Sequence, residues 1–216
     1  MRPPEPCLVL DGSARVGVRV GVLRDGQWSG EGVAEEGALE ATFGCAEVAL
    51  RAAGLALADI RSFAVCVGPG SILGIRVAAL AARAWATLEP RPIFVWESLA
   101  AVAHAALIAG QPRPFVVALE SRLKRWNTLV VPAAGAPGAP AELEPEQVSA
   151  LGLPVVSTAE SASTIFPGTP VVPTPWAELP TLFAKTDLLR PEAQPEALNP
   201  AATYATWDGE RHRGPA

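Results

Sequence analysis

Residues 63–89 read FAVCVGPGSILGIRVAALAARAWATLE, so an apolar run stops at Gly68-Pro69-Gly70 and a second begins directly after Ser71. The first run is short, apolar throughout and bounded by turn residues, the pattern of a buried strand. Ser71 is an N-cap residue type, and residues 71–89 read as a helix that Pro90 ends. A strand fed straight into a helix through a glycine-proline bend points to an α/β protein. It also leaves three uses for the bend. Helix amides behind it could cradle a phosphate, Ser71 could serve as a nucleophile, or the chain could simply turn tightly so that two elements pack closely.

The rest of the chain sets this unit in context. Residues 7–11 read as a buried strand entering an Asp-Gly-Ser turn. From Val16, V-G-V-R-V-G-V alternates with period two, and Arg24-Asp25-Gly26-Gln27 is a hairpin signal before a third strand near Trp28. Leu39, Phe43, Ala46, Leu50 and Ala53 fall on one helical stripe that Gly54 closes. Beyond the bend, residues 93–96 read as a strand, and Ser98 caps a helix running to Ile108. Residues 115–119 and 126–131 form a hairpin around Glu120-Ser121-Arg122-Leu123-Lys124-Arg125. A weak helix follows Pro145, with extended pieces around Val155 and Val171. Thr174-Pro175 opens a helix expected to reach Leu189 with a disturbance at Pro180, and the last twenty residues read as irregular. The order indicates an α/β fold with a mixed sheet. No internal repeat of fixed period is present in the sequence.

With 216 residues, 50% hydrophobic and 18% charged, the chain can bury a sizeable core. A net charge of -5 does not favour direct nucleic-acid binding through phosphate neutralisation, so any link to RNA is expected to be indirect. The opening residues are too polar for a signal peptide and no apolar run approaches the roughly 18 residues of a membrane span, which leads to a cytoplasmic expectation with no membrane partner. Cys7, Cys45 and Cys66 are expected to be free buried thiols.

Residue types bear on each chemical use of the bend. A hydrolase built on Ser71 would need a histidine base, and only His104, in an alanine-rich helix, and His212, in a polar tail, exist. Those histidines and the dispersed cysteines lack metal-ligand spacings, so no metal, no cofactor and no catalytic residue is expected. Asp11-Gly12-Ser13 resembles the first phosphate turn of actin-like ATPases, yet no second acidic-glycine turn follows in the other half, and the turn reads as vestigial. In the structural use, the alanines of 78–86 and Gly74 let another surface approach the helix axis closely. That surface is either the chain's own sheet and its 39–53 helix, or another subunit.

Gly68-Pro69-Gly70-Ser71-Ile72-Leu73-Gly74-Ile75-Arg76 resembles the G-P-G-S-F-T-G-[LIV]-R signature of the TsaB (YeaZ) family, within the M22 glycoprotease-like superfamily. Pro92-Ile93 through Ser98-Leu99 is similar to that family's segment after the signature, Ala118 to Arg122 stands where it has a D-A-R strand-turn, and Pro200 to Tyr204 faintly matches its terminus. The resemblance implies an actin-like (ASKHA, ribonuclease H-like) two-lobed fold with mixed sheets and a degenerate nucleotide site. It implies lobes over 1–100 and 101–190 and a tail over 191–216.

The function it implies is that of a non-catalytic subunit paired with a catalytic TsaD-type subunit and a TsaE-type ATPase in threonylcarbamoylation of adenosine 37 of tRNA, without protease activity. Gly68, Pro69, Gly70, Ser71, Gly74 and Arg76 would form the structural loop, with Arg76 tying the helix start to the loop or an acid, or else standing as a solvated helix charge. Leu39, Thr42, Phe43, Ala46, Leu50, Ser71, Gly74, Ile75, Ala78 and Ala82 would form the partner interface. Departures from the family pattern are Ile72-Leu73 in place of Phe-Thr, no histidine within 36–41, Glu120 in place of aspartate, and an unmatched ending. Two alternatives remain: an active actin-like ATP-dependent kinase using Asp11 and Ser13, and a paralogue that acts as a homodimeric structural protein.

Overall fold

The computed structural model describes residues 2–14, 17–35, 37–121, 124–159, 161, 166, 168–172 and 175–198, with the side chains of 38–40 excepted. The first half runs β1 (Cys7–Asp11), β2 (Val18–Arg24), β3 (Gln27–Ala34), α1 (Ala38–Ala53), β4 (Ser62–Cys66), α2 (Ile72–Leu88) and β5 (Ile93–Trp96). After α3 (Ser98–Ile108), the second half runs β6 (Phe115–Glu120), β7 (Trp126–Val131), β8 (Ala141–Leu143), α4 (Pro145–Ala150), β9 (Val155–Thr158) and β10 (Val171–Val172). The described chain then continues through α5 (Leu179–Lys185) and β11 (Arg190–Pro191).

The first sheet has the order β11-β5-β4-β1-β2-β3 and the second β10-β9-β6-β7-β8. In each, three strands form an antiparallel meander, a fourth pairs parallel to the meander's first strand, and a fifth extends the parallel side. The molecule is therefore an α/β protein of two mixed sheets with one topology used twice. No repeat is visible in the sequence because strand order is kept by burial pattern and pairing, which many residue choices satisfy.

Local chemistry explains the elements. Val18, Val20 and Val22 are buried, and Asp25 (φ 54°) and Gly26 (φ 72°) give the left-handed pair that a two-residue hairpin turn requires. Gly54, at φ 66°, ends α1 in the left-handed conformation and donates to the carbonyls of Arg51 and Leu50. Ser71 caps α2 by accepting from the Gly74 amide at 3.4 Å. Contrary to expectation, Ser98 is not the cap of α3; Glu97 holds that position and Ser98 is the first helical residue. The helix expected from 174 to 189 is shorter, Leu179–Lys185 preceded by turns, since Pro180 is accommodated only at a helix start.

Two apolar layers cover the first sheet. On one face Leu8, Leu10, Val20, Phe63 and Val65 pack against Ala46 and Ala49 of α1 and Ala78 and Ala82 of α2. On the other, Cys7, Val9, Ala64 and Trp96 meet Ala101 of α3 and Leu179, Leu182 and Phe183 of α5. Leu99, Val102 and Ala106 of α3 pack instead on Phe115, Val117 and Leu129 of the second sheet. An apolar α3 thus lies between the sheets. After β10 the chain returns to the first sheet: Trp176 stacks on Trp28 with centroids 4.7 Å apart, and β11 pairs with β5.

Cys7, Cys45 and Cys66 are free and buried. Burial pushes the Cys7 thiol up to about 12, partly opposed by a hydrogen bond with Ser62, and pushes the Cys66 thiol well up, with the nearby Asp11 charge adding to it. No helix among the described residues is long and apolar enough to cross a membrane.

Candidate functional site

The signature loop is a junction between four parts of the chain. The Ser71 amide donates to the Ser13 carbonyl at 2.9 Å, fixing the loop to the turn after β1. The Ser98 amide donates to the Gly68 carbonyl at 2.9 Å, and the Ser98 hydroxyl donates to the Pro69 carbonyl at 2.6 Å, fixing it to α3. The Leu198 amide donates to the Val67 carbonyl at 2.7 Å. A β-carbon on Gly70 would lie 2.2 Å from the Ser13 carbonyl oxygen, so the loop and the Asp11 turn touch backbone to backbone. Pro69 follows a cis peptide bond.

In that junction the groups a chemical use of the bend would draw on are engaged within the chain. The Ser71 amide, which an anion would need, already serves Ser13, and the Ser71 hydroxyl caps its own helix. His104, the only described histidine, sits on α3 with Nε2 3.7 Å from Asp187 Oδ1. Its pKa is lowered by burial, with Asp187 pulling it up and Arg113 pushing it further down. His212 lies outside the described residues, as do Pro200 to Tyr204. Among the described residues no group of three or more His, Cys, Asp or Glu could hold a metal ion.

A cavity of about 140 Å³ lies between the halves, lined by Asp11, Ser13 and Gly70 from the first and Glu120, Asn127 and Thr158 from the second. Trp96 and Trp176 form part of its wall. Asp11 accepts the Ser13 amide at 2.8 Å, closing the first turn on itself. Glu120-Ser121, at the end of β6, stands at the place in the second half that Asp11-Gly12-Ser13 holds at the end of β1. The sequence reading found no second turn because it sought an acidic-glycine pair; the detectable signal was position, directly after the first strand of the second meander. This turn too is engaged by its own chain: the Ser121 amide donates to the Arg125 carbonyl at 2.8 Å and its hydroxyl to Glu142 Oε1 at 2.6 Å.

The expected interface residues divide by exposure. Thr42, Ala46, Gly74, Ile75, Ala78 and Ala82 are buried within the chain's own packing, so the expectation that they meet a foreign subunit is revised. The small residues of α2 serve the internal sheet, and Gly74 serves the close approach of Gly12. Leu50 is half-buried against that core, and Ser71 is half-buried in its capping role. The side chain of Leu39 is not among those described. Phe43 alone of the set stands well out, 52% exposed, with its ring edge-on to Trp85 at 5.8 Å.

The opposite stripe of the same helices is the open one. Val48 is 49%, Leu73 64% and Leu80 59% exposed, and Arg76 is a solvated charge between the two leucines. Sequence reasoning missed Val48 and Leu80 by following the stripe richest in small residues, which belongs to the core. The 73-76-80-84 spacing carried the outer signal.

The family model of TsaD, tRNA N6-adenosine threonylcarbamoyltransferase, matches residues 33–125, from the end of β3 to the β6–β7 turn. A solved structure described as an uncharacterized protein with similarity to peptidase YEAZ from Pseudomonas aeruginosa aligns at 20% identity and a TM-score of 0.65. That alignment covers 93% of this chain and 100% of the other. YeaZ from Pseudomonas aeruginosa aligns at 24% identity and a TM-score of 0.54, over 68% of this chain and 69% of its own. The fold of those proteins is the fold of this one, two mixed sheets built on one topology.

Proposed function

We propose that this chain, whose signature loop resembles that of TsaB, whose residues 33–125 match the TsaD family model and whose fold is that of YeaZ, is a non-catalytic subunit that docks on a TsaD-type catalytic subunit and supports threonylcarbamoylation of adenosine 37 of tRNA. The observation that carries the reading is the two-sidedness of α1 and α2. One side is consumed by the first sheet, while the other leaves Phe43 and Val48 of α1 and Leu73 and Leu80 of α2 exposed. Large apolar side chains left exposed on two packed helices are what an interaction surface requires. The signature loop holds α2 rigidly at its N-terminus, so the face is pre-organised and little ordering entropy is lost on binding. A TsaE-type ATPase would act on the assembled pair, and tRNA would be engaged through the catalytic subunit, in keeping with a net charge of -5.

The function is tested in the native cell by depleting this chain and measuring threonylcarbamoyladenosine in digested tRNA by mass spectrometry. The modification falls on depletion and returns with the wild-type chain; an unchanged level contradicts the proposal. A homodimer through the same face is the second reading, favoured by the same exposed residues, and light scattering of the isolated chain measures it directly.

A further inference from the structure

Asn127 is out of keeping with its surroundings. Along β7 the side chains alternate: Trp126 lies in one apolar layer with Val148, while Leu129, on the other face, packs with residues of α3. Asn127 shares the face of Leu129, stands directly opposite Leu119 of β6, and lines the cleft cavity. It is 6% exposed, and among the described residues its side-chain amide makes no hydrogen bond. Thr158, buried at the end of β9, lines the same cavity, and its hydroxyl makes none either. Buried polar groups without partners lower stability, and asparagine is a poor strand residue besides. Two such groups converging on one cavity are what the wall of a ligand site requires.

Charge and size define what would fill the space. The charged residues of the lining are Asp11 and Arg19 from the first half and Glu120 from the second, an excess of one carboxylate. That excess disfavours phosphate and other anions and favours an ammonium group. Trp96, Trp176 and Val102 add an apolar wall for a short carbon skeleton. At about 140 Å³ the cavity matches the roughly 150 Å³ that holds benzene, so it suits about six to eight non-hydrogen atoms, far fewer than a nucleotide or a drug-sized ligand has. We infer that the cleft is a site for a small ammonium compound with a second polar group, of the size of a small α-amino acid. The ammonium faces the Asp11 and Glu120 carboxylates, and the polar group meets Asn127 and Thr158. Such a site lies apart from the exposed side of α1 and α2 and stands whether or not that side docks a partner.

The test is calorimetry and thermal unfolding of the full chain with L-alanine, L-serine and ethanolamine, beside lactate and glycerate, in which a hydroxyl replaces the amine of the two amino acids. The ammonium compounds are expected to bind saturably, with a Kd in the millimolar range or tighter, and to raise the thermal midpoint; lactate and glycerate do neither. Binding of ethanolamine shows that the ammonium suffices, and binding of the amino acids alone assigns their carboxylate to Arg19. Asn127→Leu keeps the side chain's shape without its amide and is expected to weaken binding about tenfold or more. The ligand-free variant melts no lower than wild type, because an unpartnered buried amide has been removed. Glu120→Gln removes one carboxylate and weakens binding about tenfold or more. Binding by none of the ammonium compounds, equal binding of lactate and glycerate, or an affinity unchanged in either variant overturns the inference. A ligand-free Asn127→Leu chain that melts well below wild type also overturns it, since Asn127 would then be a structural residue.

Discussion

Gly12 and Gly74 meet backbone to backbone: a β-carbon on Gly74 would stand 2.1 Å from the Gly12 carbonyl oxygen, and one on Gly12 would stand 2.4 Å from the Gly74 carbonyl oxygen. Neither separation is compatible with a real side chain. The contact sets the turn after β1 against the first turn of α2, and with the Ser71–Ser13 hydrogen bond it fixes where the helix starts. Gly74→Ala must force the two backbones apart, which costs about 1–3 kcal/mol of stability as overpacking does. Urea unfolding followed by circular dichroism measures it; an unchanged midpoint would show that the turn and helix have room to separate.

The Trp28–Trp176 pair is the clasp by which the chain leaving the second sheet is held on the first. The rings are nearly parallel, 13° apart; Trp28 Nε1 donates to the Trp176 carbonyl at 3.1 Å and Trp176 Nε1 to Glu31 Oε2 at 2.7 Å. Trp176 is 6% exposed, and its replacement by alanine is expected to cost about 3–5 kcal/mol. The near-ultraviolet circular dichroism of the stacked pair should vanish with it. Trp28→Phe keeps a ring on Trp176 while removing one hydrogen bond, and should cost about 1 kcal/mol.

Alkaline stability reports on the buried thiols. Cys7 has an ordinary value of 9.0, raised to about 12 by burial, and Cys66 is raised well above the same value. Above pH 9 the unfolded chain releases these protons while the folded chain keeps them. Their contribution is therefore complete below pH 9 and is lost as pH rises toward 12. Each thiol lowers stability by about 1.4 kcal/mol per pH unit within that window. Urea titrations at successive alkaline pH values on wild type and Cys7→Ala should show a shallower decline in the variant. Parallel curves would mean that the Cys7 thiolate forms readily in the folded state.

Nucleotide affinity follows from how the cleft is engaged. Its cavity of about 140 Å³ is smaller than the roughly 300–1,000 Å³ of small-molecule sites, and Ser71 and Ser121 have their amides on internal carbonyls. Calorimetry with ATP and magnesium is expected to show no saturable micromolar binding. Such binding would restore the kinase reading with Asp11 and Ser13 as its phosphate turn.

The strands and main helices were legible in the sequence because each carries its own period: alternation in Val18–Val22, a 3.6-residue stripe in α1, and a glycine or proline at most ends. Most elements of the second half were legible, but not β8 or β11, whose three and two residues carry no period of their own, and not the likeness to the first half, since β6–β7–β8 shares strand order and not residues with β1–β2–β3. At the docking face the helices were readable and their orientation was not. Ala46, Ala78 and Ala82 are small enough to suit either an internal sheet or a foreign helix, and pattern alone does not choose. Leu73 and Leu80 are common residue types whose meaning came only from exposure, and the Gly12–Gly74 contact joins positions whose proximity no local spacing encodes.

The claim on which the account turns is that the solvent side of α1 and α2 is where the catalytic subunit binds. Light scattering coupled to size exclusion, on equimolar mixtures with the TsaD-type subunit of the same cell, tests it with Leu80→Asp beside wild type. Leu80 is 59% exposed, so the variant should fold with an unchanged thermal midpoint. Wild type is predicted to give one peak at the summed mass and Leu80→Asp two separate peaks; a variant that co-elutes with its partner as wild type does would contradict the claim.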